Sequence, residues 1–193
     1  MASIKGSQTE KNILTAFAGE SQARNIYTFA ASVAKKEGQV KISQIYEETA
    51  NQEKEHGKRL FKFLEGGSAT ITAAFTAGIS GGLAEYLAEA AAGEHHEWTE
   101  MYPGFAKTAE EEGFKEAAVV MKNIATAERY HENRFKHYLN ELKTGASFKR
   151  DAPVVWRCLN CGFTLEAQAA PAKCPACEHP VAYFEPLFEV VKP

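Results

Sequence analysis

The chain has 193 residues, 45% of them hydrophobic and 24% charged, with a net charge of −3. This is a soluble globular balance, enough for one good-sized domain or a domain with a small module. Acids and bases are interspersed, so no basic face offers itself to nucleic acid. No apolar run approaches the ~20 residues of a membrane span, and no apolar stretch of a signal peptide follows Met1, so a cytoplasmic protein is expected.

The first predicted helix runs from about Gln8 to Glu37, on the spacing of Ile13, Leu14, Phe17, Ile26, Phe29 and Val33, and stops at Gly38. A second follows at once, from about Lys41 to Glu65, and must lie antiparallel to the first. Residues 66–80 are small and uncharged, and they read as a long crossover along a bundle. The third helix starts near Gly82 and the fourth ends near Lys143, with Gly113 at their turn. Pro103 lies inside the third and should kink or interrupt it.

The helices carry a duplicated pattern. Glu53 and His56 stand three residues apart, on one helix face, as do Glu128 and His131 seventy-five residues on. Each pair follows a glycine, Gly38 or Gly113, by fifteen residues, and the earlier helices carry Gly19-Glu20 and Gly93-Glu94. Helix-Glu, turn, helix-Glu-x-x-His, written twice, is the ligand set of a dinuclear carboxylate site in a four-helix bundle. All four glutamates fall ~20 Å from their helix starts, so they share one level. Carboxylates converging in a dry core need cations. Glu97 shares a face with Glu94 and has only Ala23 as counterpart, so the second half carries one carboxylate more. The candidate ligands are therefore Glu20, Glu53, His56, Glu94, Glu97, Glu128 and His131, a set suited to iron or manganese, with zinc not excluded by ligand type. Tyr27 and Tyr102 are core aromatics whose hydroxyls could meet these carboxylates. His95 and His96 read as surface or supporting residues, His137 as exposed, and Trp98 as packing.

Thr144–Ser147 reads as a linker, dividing residues 1–146 from 147–193. Beyond it a strand-like stretch, Val154–Arg157, leads into Cys158-Leu159-Asn160-Cys161-Gly162, and Cys174-Pro175-Ala176-Cys177 follows. Four thiols in two C-x-x-C pairs favour a metal over disulfides in a reducing compartment. By spacing alone a structural zinc ribbon is the default, with iron the alternative. So short a module cannot build much of a core and needs its metal, with Trp156, Tyr183, Phe184 and Phe188 packed around it. His179 is near enough to substitute as a ligand.

A bundle with two E-x-x-H motifs followed by C-x-x-C-G and C-P-x-C resembles the rubrerythrin family along essentially the whole chain. The resemblance implies a ferritin-like, mainly α bundle with a non-haem di-iron site, two irons per chain. It also implies a rubredoxin-like tail holding one Fe(Cys)4 centre, with zinc a possible substitute. Glu53 and Glu128 would bridge the irons. One iron would take Glu20 with either Glu97 (oxidised) or His56 (reduced), and the other Glu94 and His131. Glu178 stands where rubredoxin itself has glycine, and the gap between the knuckles is shorter, which bears on the potential of the centre.

The implied activity is a peroxidase reducing hydrogen peroxide to water. Its electrons would come from NAD(P)H through a separate reductase or a rubredoxin, because the chain has no dinucleotide-binding glycine motif. Glu97 would handle the proton, with His56, Tyr27 and Tyr102 beside it. The resemblance further implies a head-to-tail homodimer. A ferritin-like iron-oxidising protein with a zinc tail is the second reading, and an inert bundle bearing a zinc ribbon the third. An oxidase acting on dioxygen is a near variant of the first.

Overall fold

The computed structural model describes residues 3–188 and 191. Its helices are α1 (Gln8–Lys36), α2 (Val40–Phe61), α3 (Leu83–His96), α4 (Tyr102–Glu111) and α5 (Lys115–Thr144), with a widened π turn, Glu97–Met101, between α3 and α4. Antiparallel pairs α1–α2 and α3/α4–α5 form the bundle. Gly38 and Gly113 make the tight turns with positive φ of 74° and 87°, a region closed to most side chains. Ser7 caps α1, its hydroxyl accepting from Glu10 N at 2.9 Å. Between the pairs, residues 66–80 form the expected crossover, without regular structure and largely exposed.

Helix α2 ends at Phe61, four residues before the expected Glu65. The chain tightens there into short turns, Phe63 N to Leu60 O and Leu64 N to Phe61 O, which fold Phe63 and Leu64 back onto the core. The third helix is interrupted near Pro103, as expected, and the interruption takes the form of the π turn. Pro103 falls in the first turn of α4, directly after it, where its missing N–H and bulky ring are most easily accommodated.

That π turn resolves a mismatch in the duplication. Glu20 and Glu94 are offset by 74 residues, whereas Tyr27 and Tyr102, Gly38 and Gly113, and His56 and His131 are offset by 75. One extra residue must therefore sit between Glu94 and Tyr102, and the π turn lies there. A five-residue turn absorbs an insertion within an otherwise continuous helix, so the second half regains register with the first.

The bundle core is divided in two. One cluster holds Tyr27, Tyr46, Leu83, Leu87, Phe135 and Tyr138 with several alanines. The other holds Ile13, Leu60, Tyr102, Met121 and Ile124 with further alanines. The acidic level lies between them, so apolar packing shields it from both ends.

In the tail, β1 (Lys149–Cys158) pairs antiparallel with β2 (Thr164–Ala169) on one side and β3 (Phe184–Pro186) on the other. β1 begins earlier than Val154, and a register irregularity between Lys149 and Val154 passes over Pro153, which has no N–H to give the ladder. Trp156 and Phe184 are buried with Cys158 and Cys174, and Tyr183 packs against them; Phe188, expected in this cluster, is 81% exposed. Glu185, buried, holds the tail to the bundle through Lys41 Nζ at 2.6 Å and also pairs with Arg157.

Glu178 has φ of 62°, in the left-handed region, the one described non-glycine residue to do so. Its knuckle partner is Gly162, at 77°. Glu178→Gly should therefore stabilise the tail by ~1 kcal/mol, read as a higher denaturant concentration for loss of its metal. A lower midpoint would mean that the Glu178–Lys173 pair, 3.2 Å apart, outweighs the backbone.

Candidate metal centres

Four helices bring six acidic and imidazole side chains to one buried level. Glu20 comes from α1, Glu53 and His56 from α2, Glu94 from α3, and Glu128 and His131 from α5. All are buried except His56, which is partly so. They form two overlapping donor sets, Glu20–Glu53–His56–Glu128 and Glu53–Glu94–Glu128–His131, each with its ligand atoms within 4.8 Å of one another. Only Glu53 and Glu128 belong to both, the arrangement two bridging carboxylates require.

The ring nitrogens face the same points. His56 Nδ1 lies 3.0 Å from both Glu53 Oε2 and Glu128 Oε1. His131 Nδ1 lies 2.8 Å from Glu128 Oε2 and 3.0 Å from Glu53 Oε1. Yet Glu20 Oε2, Glu53 Oε1, Glu94 Oε2, both oxygens of Glu128 and His131 Nδ1 are buried without a hydrogen bond. A convergent group of unsatisfied buried donors and acceptors is costly unless a cation fills it. Carboxylates and imidazoles in this ratio fit two iron ions.

The supporting contacts repeat with the duplication. Tyr27 Oη donates to Glu94 Oε1 at 2.6 Å, and Tyr102 Oη donates to Glu20. Each tyrosine thus crosses the bundle to orient the glutamate of the other half, leaving that glutamate's second oxygen free for metal. His131 Nε2 faces Gln52 Oε1 at 3.0 Å, which, with the proton on Nε2, leaves Nδ1 as the ligating nitrogen. Gln52 carries no sequence signal of this role, because its partner lies on another helix.

Glu97 joins neither donor set. It stands in the π turn, partly buried. Burial first, then the charges of Glu94 and Glu128, push its carboxyl well above the ordinary range. Its neighbour Trp98 does more than pack. The indole N–H donates to Glu132 Oε2 at 2.5 Å, and Glu132 also meets His95 Nδ1 at 3.1 Å and Lys136. A buried carboxylate on α5 therefore anchors the widened turn beside Glu97. His96 is exposed, 3.5 Å from Glu100. His137 is partly buried against Tyr138, not exposed as its spacing suggested.

The tail gathers Cys158, Cys161, Cys174 and Cys177, with Cys158–Cys177 and Cys161–Cys174 sulfurs each 3.7 Å apart. A disulfide would need ~2.05 Å, whereas thiolates ~2.3 Å from one tetrahedral ion stand ~3.8 Å apart. The two knuckles match: Gly162 N bonds Cys158 O and Glu178 N bonds Cys174 O, both at 2.9 Å. The His179 amide holds the Cys177 thiol down to about 6, while the neighbouring cysteines push Cys161 up to about 12, so without metal the four sulfurs share protons that a metal would displace. His179 turns its Nδ1 to Cys177 O at 3.2 Å and is no part of the four-sulfur set.

Fold and donor sets together define a ferritin-like di-iron carboxylate protein with a rubredoxin-like iron module. Residues 11–139 match the rubrerythrin family model, and residues 156–185 match the rubrerythrin rubredoxin-like domain. The chain is 58% identical to a rubrerythrin of Porphyromonas gingivalis, over 96% of this chain and 92% of that one. It is also 58% identical to a rubrerythrin of Nitratidesulfovibrio vulgaris, over 97% and 98%. Among solved structures, nigerythrin in a partially reduced state aligns with a TM-score of 0.61 at 27% identity, over 94% of this chain and 90% of that one. The chain belongs to the rubrerythrin family.

Without metal, burial lowers the imidazole pKa values, but Glu128 and Glu53 outweigh it and raise His56 to about 10 and His131 to about 12. Both rings are then protonated at pH 7, and metal needs Nδ1 free. Loading ferrous iron at pH 7 should release at least these two protons per chain, and affinity should fall as pH falls. Indicator dye in weak buffer measures the release; none would show that the rings are already neutral.

Proposed function

We propose that this protein is a peroxidase that reduces hydrogen peroxide to water, protecting the cell from oxidative stress, with a bundle of residues 1–146 for the chemistry and a module of residues 147–193 for electron entry. The observation that carries the reading is the paired donor set with Glu97 held beside it but outside it. In this reading Glu20, Glu53, His56, Glu94, Glu128 and His131 hold the iron pair. Cys158, Cys161, Cys174 and Cys177 hold the third iron. The irons supply two reducing equivalents and Lewis acidity at the O–O bond.

Glu97 gives the site a mobile proton carrier. Its burial favours the neutral acid whenever it is off the metal, so it is suited to protonate the departing oxygen. His56 and Glu97 compete as partners of one iron, and His56, its Nδ1 turned to Glu53 and Glu128, supports the arrangement of a reduced site. Tyr27 and Tyr102 fix the carboxylates that must not move. A ferroxidase would share the donor sets, but an iron-storing protein has no use for a four-cysteine electron relay.

The electrons would come from an NAD(P)H-dependent reductase, directly or through a rubredoxin. The tail packs at the bundle end, where Lys41 pairs with Glu185, whereas Glu53 lies thirteen residues beyond Val40, which is ~20 Å along the helix. That span favours a head-to-tail homodimer in which one chain's tail serves the partner's irons, and a reducing cytoplasm would keep the four thiols free for metal.

Glu97→Ala should keep its iron yet lose peroxide turnover by ~100-fold, the scale of a lost proton donor; unchanged turnover would dismiss the role. Mixing a Cys158→Ser, Cys161→Ser chain with a Glu53→Ala, Glu128→Ala chain should restore turnover that neither has alone. Mixed dimers without activity would count against transfer between subunits.

A further inference from the structure

Three glycines in the helices are needed neither by the backbone nor by packing. Gly19 in α1, Gly93 in α3 and Gly104 in α4 have no positive φ, and a Cβ added at any of them would meet nothing within 4 Å. Gly57 is different, because its Cβ would meet Glu20 at 3.4 Å and Phe17 at 3.5 Å. Glycine is poorer than any residue but proline inside a helix, so three such positions call for another reason.

All three line one groove of about 580 Å³ between α1 and the α3–α4 rod. Residues 73–76 and Ile79 of the crossover roof it, tied to α1 by Gln22 Nε2 donating to Thr76 O at 2.9 Å. Its lining is mostly apolar, including Ala23, Ile26, Ala90 and Phe105, with the exposed His96 and Glu100 also on it, and it includes Tyr27, Glu89 and Glu97. The groove therefore abuts the carboxylate level on the side where Glu97 stands.

Hydrogen peroxide explains none of this. It has two heavy atoms, and a water occupies only ~30 Å³, so the groove is about tenfold too large for it. An apolar wall gives a polar oxidant no attraction, but a groove of this volume is the size of an organic ligand site. We propose that it takes the hydrocarbon part of an alkyl or aralkyl hydroperoxide, with the –OOH end toward Glu97. The proposal rests on the peroxidase reading and names a further substrate class for the same site. The balance is ROOH + 2 e⁻ + 2 H⁺ → ROH + H₂O. The O–O bond breaks, the iron pair would supply the two electrons in passing from ferrous to ferric, Glu97 delivers one proton to a departing oxygen, and solvent water supplies the second.

The test uses the full-length, iron-loaded protein reduced with dithionite and mixed with hydrogen peroxide or cumene hydroperoxide, following reoxidation. Both should reoxidise it. Gly104→Leu, which adds a side chain to the groove at a position that belongs to neither donor set, should slow cumene hydroperoxide by at least ~10-fold more than hydrogen peroxide, and Gly104→Ala should fall between. In parallel, the product alcohol 2-phenyl-2-propanol should bind the iron-free chain in ligand-observed NMR and lose that binding in Gly104→Leu. Reoxidation by hydrogen peroxide but not by cumene hydroperoxide would overturn the proposal, as would equal slowing of both. If hydrogen peroxide also fails, the peroxidase reading itself is lost.

Discussion

The structure depends on the electrostatics of one buried layer. Four helices each deliver a carboxylate to the same level, with hydrophobic clusters above and below. In a medium that screens so little, burial and mutual repulsion push Glu20 far above the ordinary carboxylate range and Glu94 to about 8. His56 and His131 have the opposite sign, and they hold Glu53 down to about 2 against its burial. Without metal, Glu20, Glu94 and Glu97 therefore keep their protons at pH 7, and protons stand in for the missing positive charge. Divalent ions would replace those protons and satisfy the bare oxygens at once. The helices are arranged to make the site, and the site in turn sets which helix faces must meet.

Most of this was legible because the chain states it twice. A Glu on one helix and Glu-x-x-His on the next, at equal depth and repeated after a fixed interval, identifies four inward faces without any contact being known. The crossover followed from composition, and the tail from cysteine spacing. What a sequence conveys poorly is interaction between helices. Gln52 against His131 and Glu132 against Trp98 join residues 79 and 34 positions apart, and neither pair has a local pattern. The glycine signal puts the end of α2 four residues late, because glycine marks where a helix can no longer continue, while Phe63 and Leu64 already turn inward. Hydrophobicity alone points Phe188 to the tail core, and its 81% exposure shows how little that property decides without a packing partner in the sequence pattern.

The extra residue between Glu94 and Tyr102 joins these levels. In the sequence it is a one-residue slip in an otherwise exact repeat, and in the fold it is a π turn. The turn restores register, so Tyr102 reaches Glu20 as Tyr27 reaches Glu94. It also carries Glu97, the one candidate ligand without a counterpart, and Trp98, which ties the turn to α5. A symmetric scaffold thereby acquires one asymmetric group, which a redox site needs if its proton carrier is to stand apart from its ligands.

The central claim is that this chain holds an iron pair and an electron-carrying iron centre that act together on peroxide. Anaerobic loading with ferrous iron, followed by metal analysis and a visible spectrum, tests it most directly. The account predicts a red protein with about three irons per chain, bleached by dithionite and recoloured by hydrogen peroxide. A colourless protein whose tail keeps zinc in the presence of iron would contradict it, because no electron path would then lead to the bundle.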